Sequence, residues 1–168
     1  MKAPGPRVGV SACLLGQAVR WDGAARPHAW ILETLGRRAR LVPLCPEAGA
    51  GLPVPRPPVQ LVATEKGVRA LGVDDPQQDV TDALLAWSRR VAPLLATLDA
   101  LVLKARSPSC GVGTTSLFSL QGKAVDFTSG LFAAWVRDAF PGLVVVDETA
   151  LESDEGRADF LGALGVRP

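Results

Sequence analysis

The sequence predicts a single α/β domain over residues 1–168, with a mostly parallel sheet and helices on both faces in a Rossmann-like, three-layer arrangement. Four short apolar segments are typical of buried strands: Arg7–Ser11, Leu41–Leu44, Ala100–Leu103 and Leu143–Val146. Strands that alternate with helical segments indicate a parallel sheet covered on both faces. A chain of 168 residues with 48% hydrophobic residues is sufficient for one core.

The segments between these strands have recognisable patterns. Helices are predicted, from apolar spacing and end signals, at His28–Arg38, Asp79–Leu98, Thr128–Phe140 and Asp159–Leu164. Pro93 is expected to kink or interrupt the second of them. Two β-hairpins are also predicted: Val59–Ala63 with Gly67–Gly72, and Leu117–Leu120 with Ala124–Phe127.

The charge composition argues against a nucleic-acid-binding surface. The chain has 18 basic and 17 acidic residues, and no basic run is long enough to follow a phosphate backbone. No apolar segment approaches the roughly 18–20 residues of a membrane span, and the N-terminal residues lack a signal-peptide core. We therefore expect a cytoplasmic protein, a monomer or weak dimer, that binds a small molecule rather than a membrane or nucleic acid.

The three cysteines follow three of the predicted strands. Cys13 comes after the first strand, Cys45 directly after the second, and Cys110 in the loop after the third. Ligands of open α/β sheets bind beyond the carboxyl ends of the strands, so the three thiols are expected to converge at one edge. Their spacing forms no local metal-binding motif, and on spacing alone each is equally consistent with a small buried hydrophobic residue.

The residues around the cysteines favour a functional site. Each cysteine has glycine, proline or small neighbours, which allow a backbone to approach a ligand closely: SACLLG, LCPE and SPSCGVG. The last segment offers backbone N–H groups and hydroxyls around one thiol, a suitable cradle for an anion or a cluster sulfur. A reducing cytoplasm and an odd number of cysteines both disfavour structural disulfides.

These motifs resemble the thiouracil desulfurase family, long catalogued as a bacterial domain of unknown function. Five motifs of the chain, which include the three cysteine segments, occur in family order: SACLLG at Ser11–Gly16, RWDG at Arg20–Gly23, CPE at Cys45–Glu47, GLPVPRP at Gly51–Pro57 and LKARSPSCGVG at Leu103–Gly113. The resemblance covers roughly residues 8–148, and residues 149–168 form a C-terminal extension.

The resemblance implies a [4Fe–4S] cluster held by Cys13, Cys45 and Cys110. A cluster normally takes four thiolates, so three leave one iron open, which is a Lewis-acid site suited to a soft sulfur. The implied reaction is the non-redox desulfuration of a thiolated uracil to uracil and sulfide. Glu47 and Ser107 match the family's proposed catalytic residues, Glu47 as the base that takes a proton from water and Ser107 as a proton relay or ring ligand.

Four further residues are candidates for the substrate pocket. Ser11 and Ser109 lie beside cysteines and are expected to bind backbone groups. Asp22 belongs to an Asp-Gly pair, which is also a common turn. Arg56 lies in a proline-rich loop, where it would either shape the pocket or bind a surface carboxylate.

Other functions remain open at this point. The chain would also suit a non-catalytic iron–sulfur or sulfur carrier, for which Glu47 would be dispensable. A zinc hydrolase with three cysteines and a water is a further alternative, because catalytic zinc keeps an open position. A thiol–disulfide function is disfavoured because the sequence has no Cys-x-x-Cys.

Overall fold

The computed structural model describes residues 5–167. Within these residues, eight strands form two four-stranded sheets. The strands are β1 (Arg7–Ser11), β2 (Arg40–Leu44), β3 (Val59–Thr64), β4 (Gly67–Gly72), β5 (Ala100–Leu103), β6 (Thr115–Phe118), β7 (Ala124–Thr128) and β8 (Val144–Asp147). The α-helices are α1 (Ala29–Glu33), α2 (Pro46–Gly49), α3 (Thr81–Arg90), α4 (Ala92–Leu95), α5 (Leu131–Ala139) and α6 (Asp154–Ala163). Short 3-10 helices occupy Ala12–Leu15, Leu35–Arg37 and Glu148–Leu151.

The first sheet is parallel, as the four apolar segments predict, and has the order β2-β1-β5-β8. Gly9 in β1 lies opposite Val42 of β2 and Leu101 of β5. All four residues of β5 are buried, as expected for a central strand of a parallel sheet. Pro43 is exposed on β2, an edge strand, where a missing N–H is tolerated.

Helices contribute to the core on both faces of this parallel sheet. Val8, Val10 and Val102 point to one side, and the buried partners there come from α1, α6 and the intervening 3-10 helices: Ile31, Leu35, Leu151, Phe160 and Leu161. Leu101 and Leu103 point to the other side, where the partners come from α3, α4 and α5: Trp87, Leu95, Phe132, Ala133 and Val136. The extension beyond residue 148 therefore packs into the same core as β1.

A second sheet corrects the prediction of one mostly parallel sheet. Both predicted hairpins form, as the antiparallel pairs β3–β4 and β6–β7. A parallel pairing of β3 with β6 joins them into a mixed sheet of order β4-β3-β6-β7. The hairpins join each other rather than the parallel sheet, and a small cluster of Leu61, Ala70, Val80 and Leu84 packs this sheet against α3.

The helix bounds differ from the predicted ones for local reasons. The first predicted helix ends at Glu33 and continues as the 3-10 helix Leu35–Arg37. The longest predicted helix is interrupted at Val91, and Pro93 lies in the first turn of α4, where proline is tolerated. The last helix begins earlier than predicted because Ser153 caps it, accepting from Gly156 N. None of the helices in residues 5–167 has the length and apolar character to cross a membrane.

Candidate functional site

A cavity of about 420 Å³ lies at the carboxyl edge of the parallel sheet. Its wall is built from the segments that follow β1, β2 and β5, together with the loops 19–26 and 56–59. All three cysteines contribute to this wall. Each is a free thiol: Cys13 and Cys110 are buried, and Cys45 is partly exposed.

Burial raises the pKa of each thiol, and nearby groups oppose this effect. For Cys13, the charges of Lys104 and Arg20 lower the pKa against the larger effect of burial. For Cys45, which directly precedes α2, a hydrogen bond from the backbone N–H of Ala48 lowers the pKa against the effect of burial. Metal binding requires thiolates, so such positive and donor groups favour the ligating form.

Cys110 is the most deeply placed of the three thiols. Burial raises its pKa strongly, and the hydroxyl of Ser11 opposes this. Ser11 itself is 3% exposed, and its oxygen accepts a 2.8 Å hydrogen bond from Lys104 N at the end of β5. Ser11 therefore joins β1 to the segment that leads into the Cys110 loop.

Ser107 shapes the turn that carries Cys110. Its Oγ accepts from Ser109 N and Cys110 N, each at 3.1 Å. Its carbonyl accepts from Gly111 N at 3.0 Å and from Thr115 Oγ1 at 2.7 Å. Because the two backbone donors use the lone pairs of the hydroxyl oxygen, the O–H hydrogen of Ser107 stays available as a donor at the cavity wall.

The N-terminus of α5 also binds the backbone of the turn that carries Cys110. The first amides of the helix donate to the carbonyls of Pro108 and Ser109, and Gly130 N donates to Gly111 O, at 2.8–3.1 Å. This contact requires a glycine at position 130, because a Cβ there would stand 2.3 Å from the carbonyl carbon of Ser109. The position of Cys110 is therefore fixed by close backbone packing.

Glu47 lies in the first turn of α2 and is part of the cavity wall. Its Oε1 accepts from Arg56 Nε at 3.1 Å, and its Oε2 accepts from Ser109 Oγ at 3.0 Å. Only 13% of its side chain is exposed. Glu47 is thus held at both oxygens, and it connects the residues after Cys45 to the turn of Cys110.

Arg56 is a buried residue of the cavity wall and binds a cavity carboxylate rather than one on the surface. Its side chain is 5% exposed. Besides Glu47, the guanidinium donates to Pro53 O at 3.2 Å and Val19 O at 3.0 Å. A guanidinium whose three nitrogens all bind protein groups is well suited to fix the loops around it.

Asp22 does not belong to the cavity wall. It is exposed, and its Oδ1 accepts from Ala24 N at 3.0 Å, so its carboxylate stabilises the turn of the Asp-Gly pair. Its neighbours Arg20 and Trp21 do line the cavity. Of the predicted site residues, the structure brings the three cysteines, Glu47, Ser107, Ser11 and Arg56 to the cavity wall. Ser109 is not part of the wall, and its hydroxyl donates to the Glu47 carboxylate rather than binding a backbone group as predicted.

Asp147, the last residue of β8, is a site residue that was not predicted from the sequence. Its side chain is buried, and Oδ2 accepts from Val112 N at 2.9 Å and from Thr114 Oγ1 at 2.7 Å, just beyond Cys110. Its Oδ1 accepts from Thr149 N at 3.1 Å and from the Thr149 hydroxyl. An acidic residue at the carboxyl end of an apolar strand was the signal that could have found it.

Glu148, the residue after β8, lies at the edge of the sheet where its position in the sequence predicts a pocket residue. Its carboxylate accepts from Lys104 Nζ and from Ala105 N, and 12% of the side chain is exposed. Lys104 lines the cavity and lowers the pKa of Cys13, and Glu148 holds this lysine while its own negative charge raises that pKa.

The fold and the site together define an α/β protein with a three-cysteine cavity at the carboxyl edge of its parallel sheet. The 2-thiouracil desulfurase family matches residues 8–148, so the chain belongs to that family, and the predicted resemblance and enzyme class are confirmed. The chain is 29% identical over 153 residues to the uncharacterized protein YbbK of Bacillus subtilis (strain 168), covering 84% of this chain and 95% of that protein. It is also similar to a solved structure of the [4Fe-4S]-dependent thiouracil desulfidase TudS, with 31% identity, a TM-score of 0.69, and coverage of 87% of this chain and 93% of the other.

Proposed function

We propose that this protein converts a thiolated uracil to uracil and sulfide, with no net redox change, at a [4Fe–4S] cluster held by Cys13, Cys45 and Cys110. The observation that carries the proposal is that these three thiols line one cavity together with Glu47 and Ser107. Membership of the 2-thiouracil desulfurase family supports the substrate class, and similarity to a [4Fe-4S]-dependent relative supports the cofactor.

The donor set fits such a cluster. Three cysteines with free thiols line the cavity, and cationic or hydrogen-bonding groups stand beside each of them. Within residues 5–167, no three His, Cys, Asp or Glu side chains are close enough to hold a single metal ion. A [4Fe–4S] cluster makes a different demand, because each thiolate binds a different iron, so the three sulfurs stand farther apart than the ligands of one metal ion.

When bound, a three-cysteine cluster supplies an iron without a protein ligand, a Lewis acid with affinity for the soft sulfur of the substrate. The protein's own residues then act on the water and on the ring. In the overall reaction, water adds its oxygen to the ring carbon, the C–S bond breaks, and the sulfur leaves as hydrogen sulfide or its anion. The atoms balance without an oxidant or reductant.

We assign to Glu47 the removal of a proton from the attacking water. Arg56 and Ser109 each occupy one lone pair of its carboxylate, and a carboxylate has about four such sites, so others remain for water. The same two contacts fix the orientation of the carboxylate, which a general base needs.

Ser107 is placed to donate a hydrogen bond to the ring or to the departing sulfur. Its oxygen already accepts from two backbone amides, which leaves its O–H to donate into the cavity. Those amides also polarise the hydroxyl, because hydrogen bonds in a chain strengthen one another.

The deciding experiment is anaerobic purification followed by three measurements: the visible spectrum, iron and sulfide content, and conversion of 2-thiouracil to uracil. We expect brown protein with about four irons and four sulfides, and uracil formed together with sulfide. Brown protein that binds 2-thiouracil without converting it would indicate a carrier, and a colourless protein with zinc would indicate the hydrolase. We also propose that the protein is cytoplasmic and is a monomer or weak dimer. Sedimentation of the purified protein tests the oligomeric state.

A further inference from the structure

Trp21 differs from the other tryptophans because its ring pairs with no aromatic or cationic group among the described residues. The other three rings each face an aromatic or cationic group: Trp87 with Phe132 at 5.2 Å, Trp135 with Phe140 at 6.3 Å, and Trp30 with the Arg157 guanidinium at 5.7 Å. Within residues 5–167, Trp21 makes no such contact, is 45% exposed, and lines the three-cysteine cavity.

The backbone of Trp21 is held in a tight turn. Gly23 N donates to Arg20 O at 2.8 Å, and Asp22 Oδ1 accepts from Ala24 N at 3.0 Å. Gly23 has a φ of 76°, a left-handed conformation that favours glycine. The turn is thus specified by its own sequence, so the exposed indole is carried by an ordered backbone.

Arg56 connects this turn to Glu47. Its backbone N–H donates to Trp21 O at 2.8 Å, and its guanidinium binds both Val19 O and the Glu47 carboxylate. One buried residue therefore sets the position of the indole and of the carboxylate together. A ring that stacks on the indole would lie at a defined place relative to Glu47.

We propose that Trp21 is the stacking surface for the planar ring of the substrate, an inference that rests on the proposed desulfurase function. An indole presents a large flat face with few rotatable bonds, so it gains contact area with a heteroaromatic ring at low entropic cost. Stacking is tolerant of ring substituents. Trp21 would therefore select for a planar base, while the residues around the thiols recognise the sulfur.

Exposure by itself does not carry this proposal, because single exposed apolar side chains are common on protein surfaces. Phe127 on β7 is more exposed than Trp21, at 68%, and does not line the cavity. The position of Trp21 in the cavity wall, its ordered turn and its unpartnered ring distinguish it. Phe127 is accordingly the matched control.

The test compares Trp21→Ala, Trp21→Leu and Trp21→Phe with Phe127→Ala, all anaerobically purified with measured iron content. We expect Trp21→Ala to raise the KM for 2-thiouracil, and its Kd by equilibrium dialysis, about 5- to 100-fold, with kcat and iron content near those of wild type. Trp21→Phe should recover most of the affinity, whereas Trp21→Leu, which keeps apolar volume without a π face, should not. Phe127→Ala should match wild type.

A second comparison isolates the requirement for a flat ring. The wild type should bind 2-thiouracil more tightly than its puckered 5,6-dihydro analogue, and Trp21→Ala should lose this preference. Equal affinities of wild type and Trp21→Ala, or full recovery by Trp21→Leu, would overturn the stacking role. Binding that depends on Trp21 without any uracil formation would instead overturn the desulfurase function and keep the stacking surface.

Discussion

Ser109 Oγ lies 3.0 Å from Glu47 Oε2, a contact between residues 62 positions apart in the chain. It joins the turn that carries Cys110 to the helix that follows Cys45. The carboxylate proposed as the base is therefore held in place by the loops of two proposed cluster ligands. The base and the ligands are expected to respond differently to substitution, because Glu47 is proposed to act on water and the cysteines to hold the cluster.

Glu47→Gln should separate cluster binding from turnover. Glutamine can still accept from Arg56 Nε and can donate to Ser109 Oγ, so the site geometry should be kept while the base is lost. We expect an unchanged visible spectrum, unchanged iron content and a decrease in kcat of about 10²- to 10⁴-fold. The control is Glu33→Gln on α1, an exposed position outside the cavity wall. Near-normal turnover by Glu47→Gln with a full cluster would remove Glu47 from the mechanism.

Arg56→Lys should destabilise the protein although it keeps the charge. A lysine has one ammonium group and cannot reproduce the planar guanidinium, whose three nitrogens bind Glu47, Pro53 O and Val19 O. Since a hydrogen bond to a charged group contributes about 1.5–3 kcal/mol, we expect the free energy of unfolding to fall by about 2–4 kcal/mol in urea titrations of the metal-free protein.

The control for this change is Arg69→Lys. Arg69 pairs with Asp79 and Asp82 at the surface, where solvent screens the interaction. Its substitution should have a much smaller effect than Arg56→Lys. Equal decreases in the free energy of unfolding of the two variants would show that the buried guanidinium contacts of Arg56 stabilise the protein no more than the surface pairs of Arg69.

The edge of the sheet at which the cysteines lie was predictable from strand direction, although the exact position of Cys110 also depends on the packing of its turn. Strands β1, β2 and β5 are short and apolar, and each precedes a cysteine, so a parallel sheet brings the three cysteines to one edge. The interruption of the long helix near Pro93 was predictable for the same kind of local reason. The apolar strands and the helix break were recognisable from patterns of a few residues, and the direction common to parallel strands then predicts the edge.

The remaining features depend on contacts that no local pattern encodes. The hairpins were recognisable, but the β3–β6 pairing that makes a second sheet joins segments about fifty residues apart. Arg56 could be assigned to a loop, but its partners are Glu47 and the carbonyl of Val19, 37 positions away. Asp147 was overlooked because its partners, Val112 and Thr114, become neighbours only after β8 joins the sheet.

Gly130→Ala should disturb the cluster site from outside the cavity. The added Cβ would meet Ser109 C at 2.3 Å and Cys110 N at 2.5 Å, and these backbone atoms must move to relieve the overlap. We expect lower iron occupancy after anaerobic reconstitution and faster bleaching by a chelator. Gly162→Ala is the control, because its Cβ would meet nothing within 4 Å and alanine favours the helix by about 0.5–1 kcal/mol. Wild-type iron occupancy in Gly130→Ala would contradict the inferred role of this contact.

Asp147→Asn should weaken the loop beyond Cys110 despite its similar shape. Each carboxylate oxygen of Asp147 accepts from one backbone N–H, that of Val112 or that of Thr149. An asparagine has one carbonyl oxygen, so its amide nitrogen must face one of these donors and leave it unpaired in a buried site. An unsatisfied buried donor costs about 1–3 kcal/mol.

The same substitution should reach the cavity through Thr114. This residue donates to Asp147 and accepts from the N–H of Arg106, which has a φ of 65° and is the only non-glycine residue with positive φ in residues 5–167. Such a conformation persists only where surrounding contacts hold it. We therefore expect Asp147→Asn to lower the unfolding free energy of the metal-free protein and to accelerate cluster loss to a chelator. Asp126→Asn, at an exposed position of β7, is the control, and equal cluster lifetimes in the two variants would show that Asp147 does not position the loop.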